Sequence, residues 1–418
     1  MAAWRHCLRA PGLPVGNDRK QHAGALLVFN NEFPMPSPLT HLGEMPIDIF
    51  MRDYWQQKPL LIRNAFTDFK SPISAEMLAG MALEERVESR LVMEQGENEP
   101  WQLRTGPFTE ADFLSLPRTH WTLLVQAADQ WLSEIAELKE CFRFIPDWRL
   151  DDVMISYAAD QGSVGPHYDH YDVFLLQAEG KRLWQQGPKV DETQPRLAGT
   201  PLSILSAFEA ENRWILEPGD MLYLPPQYSH WGIAEGACTT ISIGFRAPSA
   251  AEILEELASE IATGLPDSMR YTDAGIEPTG NPAEIDAASV VRLQKQIGHW
   301  LQQPEKITRW FGAVMTEAKY PDIVALDADS AADWRKQLRR GLSLVLNPAS
   351  RCAFCRQPAT LFVDGEALPV PLAFARQFTA NRTIRWRDID NYPLLGVADG
   401  LIDQLVSQGT LIYPPEDF

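Results

Sequence analysis

Residues 148–246 alternate between short β-prone runs and turn-forming residues, and this pattern restricts the fold of the chain more than any other feature. The predicted strands are Val153–Tyr157, Tyr171–Gln177, Arg182–Gln186, Trp214–Leu216, Met221–Leu224 and Thr239–Phe245. Turns between strands are indicated by Glu179-Gly180, Gly187-Pro188 and Pro218-Gly219-Asp220. Many short strands at close spacing are typical of a barrel or a jelly roll.

The chain changes character after Pro248. Ser249 can cap a helix over Ala250–Ala262, and the apolar spacing predicts two more helices, over Asp286–Gln302 and Ser330–Arg340. The C-terminal part combines a strand, a hairpin and a helix, which together are typical of a winged helix; they are Leu342–Leu346, Thr360–Val370 and residues near Gly396–Gln408.

We therefore predict an α+β chain with four parts. Residues 1–34 form a disordered tail, or lie upstream of a true start near Met35. A jelly-roll domain occupies residues 35–250, a helical domain residues 251–345, and a winged-helix domain residues 346–418.

The composition limits the kinds of partner that the chain can bind. Asp and Glu number 56 against 37 Lys and Arg, and the formal net charge of -19 argues against a large nucleic-acid interface and favours a basic protein partner. The 5 cysteines are odd in number and scattered, so we expect the reducing cytoplasm rather than a disulfide framework. No apolar run approaches the roughly 18 residues of a membrane span.

A candidate metal site lies at His167-Tyr168-Asp169. In a strand, side chains two residues apart project to the same face, so His167 and Asp169 would lie together while Tyr168 and His170 face the other way. His230, which follows a tight turn, an apolar run and a Pro-Pro pair, is the candidate third ligand. Two histidines and one carboxylate form the facial triad of non-haem Fe(II) oxygenases. A His-x-Asp motif alone, or a single histidine alone, seldom binds metal, but the occurrence of both in this order favours a metal site.

Arg182 is the candidate binding residue for an anionic cosubstrate. It follows the Glu179-Gly180 turn and shares a predicted strand face with Trp184, whereas Lys181 would face the other way. A guanidinium can hold a carboxylate through two parallel hydrogen bonds. The alternative is a solvated Lys-Arg pair in a turn.

Several runs together resemble the JmjC-type, cupin-like ribosomal oxygenases of bacteria, which are 2-oxoglutarate-dependent arginine hydroxylases. The runs are Lys58–Phe66, Trp148–Tyr157, Gly165–Asp169, Asp172–Phe174, Arg182–Trp184, Pro218–His230 and Gly244–Pro248. The resemblance covers the chain from about Met35 to its end.

This resemblance implies a double-stranded β-helix catalytic domain, a helical dimerisation region and a C-terminal winged helix. The implied reaction is the Fe(II)- and 2-oxoglutarate-dependent hydroxylation, with O₂, of an arginine in the sixteenth large-subunit ribosomal protein. His167, Asp169 and His230 match the iron ligands of the family, and Arg182 matches the residue that binds 2-oxoglutarate. Ser156 and Thr240 fall on strands that line the cosubstrate and substrate pocket.

Two other functions remain open. One is a JmjC-type hydroxylase or demethylase of another basic protein, and the other is a non-catalytic cupin that binds a metal or ligand as an assembly module. His170 and Asp172 are expected beside the metal site or at its rim, where His170 and Tyr168 could affect substrate choice. Cys352 and Cys355 lack a second Cys pair and a close histidine, so we expect structural thiols rather than a zinc site.

Overall fold

The computed structural model describes residues 38–95, 99–277, 280–325, 334–386, 388 and 395–413, so the predicted tail at 1–34 lies outside the described residues. The chain divides into two compact units. The first ends at Ala247 and also includes Tyr413, and the second extends from Pro248 to Ile412. Among the described residues, no helix has both the length and the apolar character needed to cross a membrane.

The first unit is built around an antiparallel sheet. The strands of this unit are β1 (His41–Leu42), β2 (Met45–Pro46), β3 (Leu60–Ile62), β4 (Ser89–Gln95), β5 (Glu99–Thr105), β6 (Trp121–Val125), β7 (Leu150–Ala158), β8 (Val173–Lys189), β9 (Asn212–Leu216), β10 (Met221–Leu224) and β11 (Tyr228–Phe245). The sheet has the order β3-β10-β8-β11-β7-β6-β4-β5, while β9 pairs with β8 and β1 pairs with β2.

Short helices precede the long strands of this unit. They are α1 (Ile47–Asp53), α2 (Ala75–Met81), α3 (Glu110–Leu114) and α4 (Ser133–Glu140). Ser74 and Thr109 accept hydrogen bonds from backbone N–H groups in the first turns of α2 and α3, and both residues suit this role because a hydroxyl oxygen can replace a missing helical acceptor.

Strands β8 and β11 are longer than the sequence predicts. The predicted turns at Glu179-Gly180 and Gly187-Pro188 are wrong, because both pairs lie within the continuous strand β8. Gly180 has a φ of +64°, and the register between β8 and β11 shifts near it. The first half of β8 pairs with β10 and the second half with β9, so this strand changes its outer neighbour at the irregularity.

An aromatic core packs under the sheet. Phe50 of α1, Phe174 of β8 and Tyr223 of β10 are each 0% exposed, and the Phe174 ring centroid lies 5.6 Å from that of Phe50 and 4.9 Å from that of Tyr223. Phe245 and Phe142 extend the cluster on either side of Phe174. Contacts of this kind join β8, β10 and β11 to the N-terminal helix.

The second unit combines helices with two small sheets. Its elements are α5 (Ala250–Thr263), α6 (Ala287–Leu301), α7 (Pro304–Thr316), α8 (Pro321–Ala325), α9 (Trp334–Arg339), β12 (Ser343–Leu346), β13 (Cys352–Arg356), β14 (Ala359–Val363), β15 (Glu366–Pro369), α10 (Leu372–Asn381), β16 (Thr383–Arg385), α11 (Leu395–Ser407) and β17 (Leu411–Ile412). The sheets have the orders β16-β12-β17 and β13-β14-β15.

Most of the predicted elements of this unit are confirmed. Ser249 caps α5 through a capping box, and the hairpin β14–β15 turns on Asp364-Gly365, both with positive φ. The start of the helix predicted over Ser330–Arg340 lies outside the described residues. Helix α7 packs on the β13-β14-β15 sheet, and the domain boundary predicted at residue 345 stays a prediction.

The two thiols of Cys352 and Cys355 lie three residues apart on β13. Side chains separated by an odd number of residues in a strand project to opposite faces. Cys352 is buried and the Cys355 thiol lies 2.8 Å from the carbonyl oxygen of Pro358. The arrangement therefore suits separate packing roles for the two thiols.

Candidate metal centre and the buried arginine

The loop of residues 159–172 between β7 and β8 carries His167 and Asp169. The prediction of a strand here is wrong, because His167 forms a single bridge with His230 of β11. The His167 N–H donates to the His230 carbonyl at 3.0 Å, and the His230 N–H donates back at 2.8 Å. A third hydrogen bond, from the Gln227 N–H to the Asp169 carbonyl at 2.7 Å, holds the loop beside β11. One bridge therefore produces the alignment that we had assigned to a strand.

Backbone carbonyls determine which nitrogen of each histidine is free. Nδ1 of His167 lies 2.9 Å from the Gly165 carbonyl, and Nδ1 of His230 lies 2.9 Å from the Tyr228 carbonyl. A carbonyl oxygen only accepts, so each Nδ1 carries a hydrogen, and in the neutral ring Nε2 is then the nitrogen with the lone pair. Both rings are thus in the tautomer that can bind a metal through Nε2.

The three predicted ligand side chains meet at one point. Their ligand atoms all lie within 4.8 Å of one another, and Nε2 of His230 is 3.6 Å from a carboxylate oxygen of Asp169. Burial, together with the neighbouring His167 ring, lowers the pKa of His230 to about 4, so that its imidazole is neutral at pH 7. In the described part of the chain this is the one cluster of His, Cys, Asp or Glu side chains close enough to share an ion.

Two neighbours of the cluster hold the loop, and sequence reasoning missed one of them. The Tyr171 hydroxyl hydrogen-bonds to the Asp169 carboxylate, whose charge raises the pKa of Tyr171 well above its ordinary value. Asp172 is fully buried and accepts from the Tyr223 hydroxyl at 2.7 Å and from the Gln56 amide at 3.0 Å. Of the two places expected for Asp172, beside the metal site or at its rim, burial excludes the rim, because this carboxylate joins the loop to the aromatic core.

His170 lies on the open side of the loop. Its side chain is exposed, and its ring packs edge-on against Tyr168 with centroids 5.3 Å apart. Arg196, from the segment between β8 and β9, reaches the Tyr168 hydroxyl at 3.4 Å. These three side chains form a rim beside the cluster, as expected for His170 and Tyr168.

Arg182 is buried, and it has no anionic partner among the residues that the structure describes. It is 2% exposed, its Nη2 donates to the Gly232 carbonyl at 3.2 Å, and neither Nε nor Nη1 has a hydrogen-bond partner. Burial lowers the pKa of Arg182. As predicted from the alternation of side chains along a strand, Trp184 lies on the same face of β8 as Arg182, and its ring centroid is 5.0 Å from the Arg182 guanidinium carbon. The side chain of Lys181 instead pairs with Glu217 at the surface. A buried cation with free donors needs an anion, because leaving such groups unpaired costs several kcal/mol.

Ser156 and Thr240 face each other across the β7–β11 ladder, and both side chains are buried. The Thr240 hydroxyl donates to the Gln177 side-chain oxygen at 3.2 Å, and the Gln177 amide donates to the Glu179 carbonyl at 2.8 Å. Gln177 is 0% exposed, and sequence reasoning missed it. A glutamine inside an otherwise apolar strand was the available signal, since a buried amide needs hydrogen-bond partners.

Comparison with known proteins identifies both units. The JmjC domain family matches residues 137–253, and the ROXA-like winged helix family matches residues 298–411. The chain is 37% identical over 271 residues to the ribosomal protein uL16 3-hydroxylase of Escherichia coli K12, which covers 65% of this chain and 71% of that protein. The chain belongs to the ribosomal oxygenase family. The predicted jelly-roll and winged-helix folds are thereby confirmed.

Other relatives of this ribosomal oxygenase agree with the assignment. A probable ribosomal oxygenase of Haemophilus influenzae is 38% identical over 53% of this chain and 54% of its own. The crystal structure of E. coli YcfD superposes with a TM-score of 0.79 at 30% identity, covering 90% of this chain and 100% of that one. A structure of YcfD in complex with cobalt and 2-oxoglutarate superposes with a TM-score of 0.75 at 30% identity, covering 89% and 99%.

We expect Asp169→Ala and His230→Ala to abolish tight binding of Co(II) by this ribosomal oxygenase. Each change removes one of three ligand groups, so affinity should fall more than the about 10–100-fold that follows loss of an outer partner of a ligand. Titration of the visible Co(II) absorption measures the affinity. His170→Ala, which changes an exposed neighbour, is the control and should bind as the wild type does. Equal affinity in all variants would contradict the assigned ligands.

Proposed function

We propose that this protein is an Fe(II)- and 2-oxoglutarate-dependent oxygenase that hydroxylates an arginine side chain of ribosomal protein uL16. One observation carries the proposal: three converging ligand side chains and a buried guanidinium with no anionic partner among the described residues belong to the same β structure. The first can hold a metal, and the second can hold an anion. A cosubstrate that binds both groups at once explains why they occur together.

The metal part rests on the donor set of His167, Asp169 and His230. Two imidazoles and one carboxylate suit Fe(II), and three protein ligands would leave coordination positions open for other molecules. Bound iron, with 2-oxoglutarate and O₂, supplies the oxidising power for hydroxylation of a C–H bond and releases succinate and CO₂. The protein keeps both Nε2 lone pairs directed at the site, and Tyr171 keeps the Asp169 carboxylate in place.

The cosubstrate part rests on Arg182 and on its distance from the metal ligands. Arg182 lies opposite Ala234 in the β8–β11 ladder, four residues along β11 from His230, which corresponds to roughly 13 Å of strand. The Arg182 side chain and a short dicarboxylate together span such a gap. Trp184 lines it, since its ring lies 5.0 Å from the Arg182 guanidinium carbon and 6.0 Å from the His230 ring. We assign the polar groups of Ser156, Thr240 and Gln177 to the same pocket, since Ser156 lies opposite Thr240 and the Thr240 hydroxyl donates to Gln177.

The substrate part rests on charge and on the E. coli relative, whose name specifies uL16 3-hydroxylation. A net charge of -19 favours a basic protein segment over nucleic acid, since complementary charge increases the rate of encounter. An arginine side chain is the target that the family resemblance implies. Action on a ribosomal protein places the enzyme in the cytoplasm.

Replacement of Arg182 by methionine should raise the KM for 2-oxoglutarate at least about 30-fold, which corresponds to about 2 kcal/mol, because the far carboxylate loses its charged partner. Succinate formation against 2-oxoglutarate concentration measures the effect. Lys181→Met is the matched control, since its ammonium group pairs with Glu217 at the surface. The binding of Co(II) should remain unchanged in both variants. An unchanged KM in the Arg182 variant would exclude this residue as the anchor.

The substrate is tested in cells that lack this protein. Mass spectrometry of uL16 should show one arginine-containing peptide lighter by one oxygen atom in the deletion strain than in the parent. Expression of the wild-type chain should restore the heavier peptide, and expression of Asp169→Ala should not. A uL16 peptide of the same mass in both strains would refute the substrate assignment, and a changed peptide from another basic protein would identify the alternative hydroxylase.

The same proposal includes a homodimer formed through the helices after Pro248. Within the described residues of α6 none is buried, and its exposed apolar side chains recur at helical spacing: Val290, Leu293, Ile297 and Leu301, each 44–50% exposed. Exposed apolar faces of this kind mark protein interfaces. A second copy of the chain can cover this face by presenting its own.

Ile297→Asp should convert the dimer to a monomer, because a carboxylate would replace apolar contact at the centre of this face. Light scattering after gel filtration measures the mass. Lys295→Asp, on the opposite side of α6, is the control for the added negative charge and should remain dimeric. A wild-type chain that is monomeric at micromolar concentration would refute the dimer.

A further inference from the structure

Three small buried side chains form a cluster beside Arg182, at one end of the proposed cosubstrate pocket. They are Ala158, Ala234 and Cys238, each no more than 1% exposed, and we call them the pocket floor. Ala234 lies directly opposite Arg182 in the β8–β11 ladder, and Cys238 lies directly opposite Ala158 in the β7–β11 ladder. The backbone of each residue in the pocket floor therefore belongs to a β ladder, and the ladder hydrogen bonds hold it in place.

Cys238 is the member of the floor that touches polar groups. Its thiol interacts with the guanidinium of Arg182 and with the side-chain amide of Gln177. On the adjacent side, a Cβ added to Gly232 would lie 2.6 Å from Nε of Arg182. The guanidinium is thus enclosed by the thiol, the Gly232 backbone and the Trp184 ring, and it has little room to withdraw from the pocket.

Both ends of the pocket are consequently at fixed positions. The ligand side chains are set by the His167–His230 bridge, and the free Nε and Nη1 donors of Arg182 are set by the floor. A dicarboxylate that reaches from one end to the other must match this distance. An added methylene would push the guanidinium against the Cys238 sulfur.

We propose that Cys238 determines the chain length of the dicarboxylate that this protein accepts. The thiol limits how far the Arg182 guanidinium can retreat, so the pocket binds 2-oxoglutarate and rejects 2-oxoadipate, which is longer by one methylene. Cys238 acts through Arg182 and is a positioning residue. This inference rests on the proposed function, because it assumes that Arg182 receives the far carboxylate.

The expected size of the effect follows from the cost of one methylene in a closed pocket, which is about 10–200-fold in specificity. The wild type should bind 2-oxoglutarate at least about 10-fold more tightly than 2-oxoadipate. Cys238→Ala removes the sulfur atom and should reduce this ratio by about 5-fold or more. Cys238→Ser nearly preserves the size of the side chain and should keep the wild-type ratio.

Calorimetry of the full-length protein loaded with Co(II), under anaerobic conditions, gives the two dissociation constants without turnover. The measurements compare the wild type, Cys238→Ala and Cys238→Ser. Cys355→Ala, which removes a thiol from β13 in the second unit, is the control for loss of a cysteine and should keep the wild-type ratio.

The outcomes separate this inference from the function on which it rests. A wild-type protein that binds Co(II) but not 2-oxoglutarate refutes the proposed function. A wild type that binds 2-oxoglutarate, with the same ratio in Cys238→Ala, overturns the role of Cys238 alone. Equal weakening of both ligands in Cys238→Ala indicates a merely structural role and also overturns it, as does a Ser variant that changes the ratio as much as the Ala variant does.

Discussion

The exchange of two backbone hydrogen bonds between His167 and His230 is the constraint on which the site depends. The two residues come from a loop and from a strand far apart in the sequence, and this single bridge aligns their side chains. Asp169 is held near both histidines because the Gln227 N–H donates a hydrogen bond to its backbone carbonyl. Since β11 also carries Ala234, Cys238 and Thr240 and pairs with both β7 and β8, the bridge fixes the metal ligands relative to the strands of the proposed cosubstrate pocket.

The site holds two kinds of group that have no ligand in the protein itself, and a bound ligand can satisfy both. The histidines present lone pairs, and Arg182 presents unpaired N–H donors. Each unpaired buried donor costs about 1–3 kcal/mol in the absence of a ligand. The aromatic core around Phe174 and the Asp172 hydrogen bonds stabilise the surrounding structure, so the chain can hold these groups in place before a ligand binds.

The sequence predicted local features well because local chemistry determines them. The cap at Ser249 and the hairpin within Thr360–Val370 are examples, since each depends on a few adjacent residues. The three clustered side chains were also found, because their residue types are rare and their order along the chain is informative. The shared face of Arg182 and Trp184 was predictable because side chains alternate between the two faces of a strand.

Features that depend on distant partners could not be predicted in the same way. The strand assigned to His167 and Asp169 is a loop with one bridge, because its pairing is decided by β11. Gly180 was read as a turn, yet the neighbouring strands keep β8 continuous through it. Asp172 became buried through Tyr223 and Gln56, which the sequence does not mark as its partners.

The irregularity at Gly180 has a consequence for the direction of side chains along β8. Val173 and Leu175, at odd positions, pack in the same cluster as Trp184, at an even position. In a regular strand odd and even positions face opposite ways, so the alternation of β8 reverses between these residues. Without that reversal Lys181 would face the interior and Arg182 the solvent. The irregularity at Gly180 thus determines that the side chain of Arg182, rather than that of Lys181, faces the proposed pocket.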